Sequence, residues 1–115
     1  MKLKLEYTSY YARQLGKLFK KNNEDELESK VNHMLNAIST QKFDNDMHPH
    51  KIYWHRKKKY VIDCHIEGNL IILYSVEGST AVIEAIGTHK DLGIKESFSL
   101  DDIIDKQLIE LAESI

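Results

Sequence analysis

The chain is poor in cysteine, proline and glycine: its 115 residues hold one, one and five of them. A single cysteine excludes an internal disulfide framework. Cys64 sits in the middle of an expected strand and reads as a small buried hydrophobe. One proline and few glycines leave little room for linkers, and neither repeats nor low-complexity tracts are present. There is no apolar run long enough to cross a membrane and no signal segment, so the expected location is the cytoplasm, with no membrane partner. A strong excess of charge is missing too. The 16 Lys/Arg and 18 Asp/Glu leave a formal −2, and bulk charge therefore gives no argument for nucleic-acid binding.

What is present is an ordinary globular composition, 42% hydrophobic and 30% charged, over a length that suits one domain, residues 1–115, with a single core. The charge is unevenly spread. Residues 1–95 carry 15 Lys/Arg against 12 Asp/Glu, whereas residues 96–115 carry one Lys against six Asp/Glu. A mildly basic body thus precedes an acidic tail.

The segment from Tyr60 to Gly93 organises the rest. Tyr60 to Glu67 alternates polar and apolar residues, and Leu70 to Val76 and Thr80 to Ile86 are apolar, β-branched runs. Gly68-Asn69 and Gly78-Ser79 fall between them, which predicts an antiparallel meander with two-residue turns. With tight turns, His65 lies opposite Ile72 and Ile72 opposite Ala85, so residues 65, 72, 85 and 89 share a face. In a flat sheet His65 and His89 would stand roughly 15 Å apart; twist and coiling can shorten that distance. One face is Ile62, Cys64, Ile66, Ile71, Leu73, Val82 and Ile86. The other is Val61, Asp63, His65, Ile72, Tyr74, Val76, Ile83 and Ala85.

The flanks supply helices. Met1 to Glu6 reads as a short edge strand with Leu3 and Leu5 on one side. Thr8 or Ser9 can cap a helix over about 8–21 carrying Tyr11, Leu15, Leu18 and Phe19. Asn23 can cap a second over about 24–40, with Leu27, Val31, Met34, Leu35 and Ile38 inward and His33 solvated. The short Asn22-Asn23 connection predicts a two-helix hairpin, assigned to the face bearing Cys64. Lys51 to His55 is a plausible strand. Arg56-Lys57-Lys58-Lys59 reads either as a charged hairpin loop or as a footprint for phosphates, with Tyr53, Trp54 and Tyr60 beside it to stack on bases. Ser99 or Asp101 can cap a C-terminal helix bearing Leu100, Ile103, Ile104, Leu108, Leu111 and Ile115. That helix is expected to cover the apolar Val76–Ile83 end of the other face. The fold class is α+β: a twisted antiparallel sheet on an N-terminal helix hairpin, with an acidic C-terminal helix over 96–115.

Asp63-Cys64-His65-Ile66-Glu67, the apolar strand ending at Tyr74, and Gly87-Thr88-His89 together resemble the RelE superfamily of bacterial toxins. His48-Pro49, with Trp54 six residues later, points to its YafQ-like branch. The resemblance covers about residues 1–93. It implies a RelE-like fold and a ribosome-dependent mRNA endonuclease from a type II toxin–antitoxin pair. The implied partners are a cognate antitoxin, the ribosome and mRNA. It implies catalytic roles for His48, with His50 a close rival, and for His65 and His89. Asn69 stands where the branch has an Asp; it can hydrogen-bond but cannot act as a base. Leu70 replaces a Trp and Gly93 a Phe. The basic run lengthens one hairpin relative to the branch, since His65 follows Trp54 by eleven residues instead of about seven.

The residue types suit that chemistry. Cleavage of RNA without a metal uses the 2′-hydroxyl as nucleophile, a general base, a general acid, and cations for the phosphorane. Histidine can fill either proton-transfer role near neutral pH. Lys and Arg supply the electrostatic part, here Arg56, Lys57, Lys58, Lys59 and Lys90. Asp63, two residues from His65 on one face, can orient it. The expected products are a 2′,3′-cyclic phosphate and a 5′-hydroxyl. No cofactor is called for. A metal centre drawn from His48, His50, His55, His65 and His89 has only the weak His48-x-His50 spacing behind it. The remaining alternatives are an inactive binder of the same fold and a gyrase-directed toxin; the latter lacks the histidine set.

Overall fold

The computed structural model describes residues 2–94. Its elements are β1 (Lys4–Tyr7), α1 (Ser9–Lys21), α2 (Glu24–Thr40), a single 3₁₀ turn (Asn45–Met47), β2 (His50–Trp54), β3 (Lys59–Glu67), β4 (Leu70–Glu77) and β5 (Thr80–Thr88). The expected C-terminal helix over 96–115 lies outside the described residues. Among the described residues no helix is long and apolar enough to cross a membrane.

Local chemistry explains the helix ends. The Thr8 hydroxyl accepts from the Tyr11 N–H and the Asn23 side chain from the Glu26 N–H, each satisfying one unpaired donor of a first turn. Thr8 also donates its hydroxyl to the Glu84 carbonyl, tying the start of α1 to β5. Lys20 and Lys21 occupy the last turn of α1, where cations suit the helix dipole.

The five strands form one sheet in the order β1-β5-β4-β3-β2. The meander β2–β5 is antiparallel, but β1 runs parallel to β5, with Lys4 beside Thr80 and Tyr7 beside Ile83. The sheet is therefore mixed, not antiparallel throughout. Alternation fixed Leu3 and Leu5 on one side without fixing a neighbour. The two intervening helices supply the crossover that parallel pairing requires. Gly68 and Gly78 have φ of +55° and +61°, the positive values that two-residue hairpin turns demand.

Two β-bulges change the faces. Past the first turn, Glu67 still opposes Leu70, yet His65 now opposes Ile71, because Ile66 is an extra residue. In β5, Tyr74 opposes Ile83 and Leu73 opposes Ala85, so Glu84 is the extra residue. A one-residue slip moves a side chain to the other face. Accordingly Ile72, Tyr74 and Ile83 join Cys64 and Ile86 under the helices, with Leu27, Val31, Met34 and Ile38. Ile71 and Leu73 cross to the side of Val61 and Ala85, the reverse of their sequence assignment. That second face is closed by Trp54 and Leu92, with Tyr10, Ile52 and Ile94 against them. Val76 is 44% exposed and carries no cover among the described residues.

Candidate active site

Five side chains converge at the end of the second face. His48 follows the 3₁₀ turn and holds φ +43°, a left-handed conformation unusual for a side chain other than glycine. His50 opens β2 and pairs across the ladder with Asp63 of β3. His65 lies two residues further along β3. His89 stands one residue beyond β5, in a turn closed by the Leu92 N–H on the Thr88 carbonyl. The β5 positions flanking it on this face are Ala85 and Gly87; the Leu92 side chain fills the space above Gly87.

Asp63 is the centre. Its side chain is 2% exposed, and three imidazoles surround it. His89 Nε2 lies 3.2 Å from Asp63 Oδ2. His50 Nε2 is 3.7 Å from the same oxygen, and His65 Nε2 is 3.8 Å from Oδ1. Oδ1 is buried and has no hydrogen-bond partner among the described residues. The His65 and His89 rings are 5.4 Å apart between centroids; His48 and His50 stand 6.4 and 6.2 Å from His65. The flat-sheet separation of the pair is thus corrected to direct neighbours. His89 has left the strand and reaches back across β4, which strand geometry alone does not allow for.

The hydrogen bonds decide which nitrogens carry protons. A carboxylate only accepts, so His89 donates from Nε2 to Asp63 and keeps a lone pair on Nδ1 in its neutral form. A carbonyl only accepts, so His50 donates from Nδ1 to the His48 carbonyl at 2.9 Å. In the neutral ring its Nε2 then carries the lone pair and faces Asp63; in the protonated ring that nitrogen ion-pairs with the carboxylate. The donor atoms of His50, Asp63 and His65 all lie within 4.8 Å of one another, which suits a metal ion as well as proton transfer. That constellation is richer than the His48-x-His50 spacing suggested. Sequence distance hid it, because its members are brought together by strand pairing.

Other expected site residues sit elsewhere. Asn69 is exposed in the β3–β4 turn, lining a groove with Leu18, Asn22, Glu26 and Lys30 near the α1–α2 connection. No contact joins it to the histidines among the described residues. The basic run is a hairpin turn, closed by the Lys57 N–H on the Trp54 carbonyl. Arg56 donates to the Asp91 carbonyl, and Lys57 lies over the Tyr10 ring. Lys59 is ion-paired with Glu84, which also accepts from the Ser75 hydroxyl. Lys58 and Lys90 are exposed. Trp54 is 1% exposed and donates its indole N–H to the Leu92 carbonyl at 2.7 Å, so it is a core residue and no stacking surface. His33, expected to be merely solvated, pairs with Asp44 at 2.7 Å. His55 packs edge-on against Tyr53, away from the cluster. Glu84 was missed; a lone acid inside Ala81–Ile86 is the sign of the bulge it occupies.

The profile of a family described as the bacterial toxin of a type II toxin–antitoxin system, YafQ, matches residues 3–94. The chain belongs to this family. Its similarity to solved structures is one of fold. A copper-bound mutant toxin from Helicobacter pylori is 22% identical with a TM-score of 0.67, over 78% of this chain and 98% of that one. The toxin in an E. coli DinJ–YafQ toxin–antitoxin complex is 21% identical with a TM-score of 0.63, over 80% and 98%. A metal-bound toxin from H. pylori is 20% identical with a TM-score of 0.63, over 78% and 98%. No curated protein matches the chain. The YafQ-type toxin fold accounts for the two helices and the five-stranded mixed sheet.

Proposed function

We propose that this YafQ-family toxin is an mRNA endonuclease that works at the ribosome and is held in check by a cognate antitoxin. The observation that carries the reading is the packing of His65 and His89, 5.4 Å apart, around the buried Asp63 carboxylate. A base removes the proton of the 2′-hydroxyl, whose oxygen attacks the adjacent phosphorus. The P–O5′ bond breaks, and an acid protonates the departing 5′-oxygen. The products are a 2′,3′-cyclic phosphate and a 5′-hydroxyl. Two imidazoles this close can serve both ends of one phosphodiester. Asp63 holds the His89 ring in place through a charge-assisted hydrogen bond. His48 and His50 form the open rim of the site, and Lys90 stands beside it. Asn69 makes no hydrogen bond to the histidines among the described residues and is given no chemical role in this reading. The antitoxin is inferred from the family and from the solved DinJ–YafQ complex.

Induced expression of wild type, His65→Ala and His89→Ala, with growth and primer extension on a reporter transcript, tests this. Each substitution should slow cleavage by about 10²- to 10⁴-fold. Equal cleavage by all three would overturn the assignment.

One observation favours a second reading, transition-metal binding at the same place. His50 Nε2 and His65 Nε2 converge on a carboxylate with one oxygen unpartnered, at a spacing that three ligands of one ion need. Two solved toxins of this fold carry metal. Zn²⁺ or Cu²⁺ would then raise the melting temperature of wild type and not that of His50→Ala.

A further inference from the structure

We propose that the opposite face of the β2–β3 hairpin is a separate stacking platform for single-stranded RNA, built from Tyr53, Tyr60, His55 and Lys51. The proposal rests on the reading of this chain as an RNA-directed toxin and adds a second contact surface to it.

Strand alternation places the platform. Ile52 and Trp54 point to the second core, and so do their ladder partners Val61 and Lys59. Tyr53 and Tyr60 pair directly with each other and therefore point to the other side of the sheet, as Lys51 and Ile62 do. They are carried on an edge hairpin, beyond the helices that cover the centre of that side. Tyr53 is 39% and Tyr60 62% exposed, two of the four large apolar side chains left open among the described residues. Their rings meet edge to face at 5.0 Å, and His55 meets Tyr53 in the same way at 4.9 Å. The Lys51 ammonium lies 5.0 Å from the centre of the Tyr60 ring.

An exposed aromatic row costs solubility unless it is used. Its charge says by what. From His50 to Ile62 there are five Lys/Arg and two His, with no Asp or Glu. Arg56, Lys57 and Lys59 turn to the second face, onto Asp91, Tyr10 and Glu84, and Lys51 is the cation on the platform's own side. A cation beside partly exposed rings, with no acid in the hairpin, is complementary to an anion that also presents flat π-surfaces. Unpaired nucleobases on a phosphate backbone answer that description. A duplex hides its base faces, and an acidic peptide offers no rings to stack. The histidine cluster lies on the other side of the same strands, so RNA held on this platform is not the phosphodiester being cut. The platform anchors a neighbouring stretch of chain and raises the local concentration of substrate.

The test is fluorescence anisotropy with a short, labelled, single-stranded 2′-O-methyl RNA, which binds and cannot be cleaved, alongside its duplex. Tyr60→Ala should weaken single-strand binding about ten-fold or more. Tyr60→Phe should bind as wild type, and duplex binding should be indifferent to either change. Lys51→Gln should lower the slope of log affinity against log salt by about one. Unchanged single-strand affinity in Tyr53→Ala and Tyr60→Ala, with native circular dichroism, would overturn the platform. Loss of antitoxin binding in these variants with RNA affinity intact would overturn it too, in favour of a protein-docking face. Cleavage by wild type and by His65→Ala is measured separately. Retained binding without any cleavage would sink the nuclease reading and leave the platform standing.

Discussion

Replacing Asp63 by Asn should separate activity from stability. The side chain is 2% exposed and lies among three imidazoles, with Oδ1 unpartnered. Asparagine keeps the shape and removes the charge. His89 then loses a charge-assisted hydrogen bond, worth about 1.5–3 kcal/mol against about 0.5–1.5 for a neutral one. A difference near 1.4 kcal/mol is about ten-fold in rate. If the amide nitrogen turns toward His89, the ring must present its lone pair at Nε2. It is then fixed in the wrong tautomer, a fault that costs about 10⁴-fold in a serine-protease triad. Cleavage should therefore fall at least ten-fold. Stability should change little. Asparagine leaves the Oδ1 position occupied by an equally unpartnered polar atom, and it trades the buried charge against the charge-assisted bond, so the melting temperature should move by no more than about 4 °C. Primer extension on a reporter transcript and a thermal melt on the same preparation read both quantities. Full cleavage combined with a large loss of stability would refute the reasoning and make Asp63 a structural residue.

Further outcomes concern Trp54, Cys64 and Thr8. Trp54→Ala should cost about 3–5 kcal/mol, because it empties the second core and strands the Leu92 carbonyl; urea denaturation measures this. The Cys64 thiol is pushed up from 9.0 to about 12 by burial and then by the neighbouring Asp63 charge, so iodoacetamide at mildly alkaline pH should modify it only on unfolding. The unfolded thiol releases its proton first. The stability linked to it is therefore complete below pH 9, declines as pH rises from there, and is gone near 12; Cys64→Ala should flatten that decline. Thr8→Ala should cost about 1 kcal/mol or more, since one hydroxyl both caps α1 and ties it to the Glu84 carbonyl; a chemical melt reads it.

The sequence by itself determined both α-helices and all five strands to within a few residues, because each is written in local terms; the 3₁₀ turn Asn45–Met47 it left as a polar segment. Asn23 with Glu26, the Leu27-Val31-Met34-Ile38 stripe, and glycines at 68 and 78 carry their structure within one turn or one hairpin. It also marked His48, His65 and His89 through their resemblance to a toxin family, and it placed Asp63 beside His65. Pairing and coiling decided the rest. The parallel partner of β1 is 76 residues away, at Thr80 beside Lys4, and alternation has no information about which strand lies alongside. The bulges at Ile66 and Glu84 exchanged Ile71 and Leu73 for Ile72, Tyr74 and Ile83, because one extra residue inverts every position beyond it. Trp54 looks like a base-stacking residue until Leu92, arriving from beyond β5, covers it. His89 looks roughly 15 Å from His65 on a flat lattice. Only a chain that leaves the strand and folds back over β4 can set its imidazole on the carboxylate of Asp63.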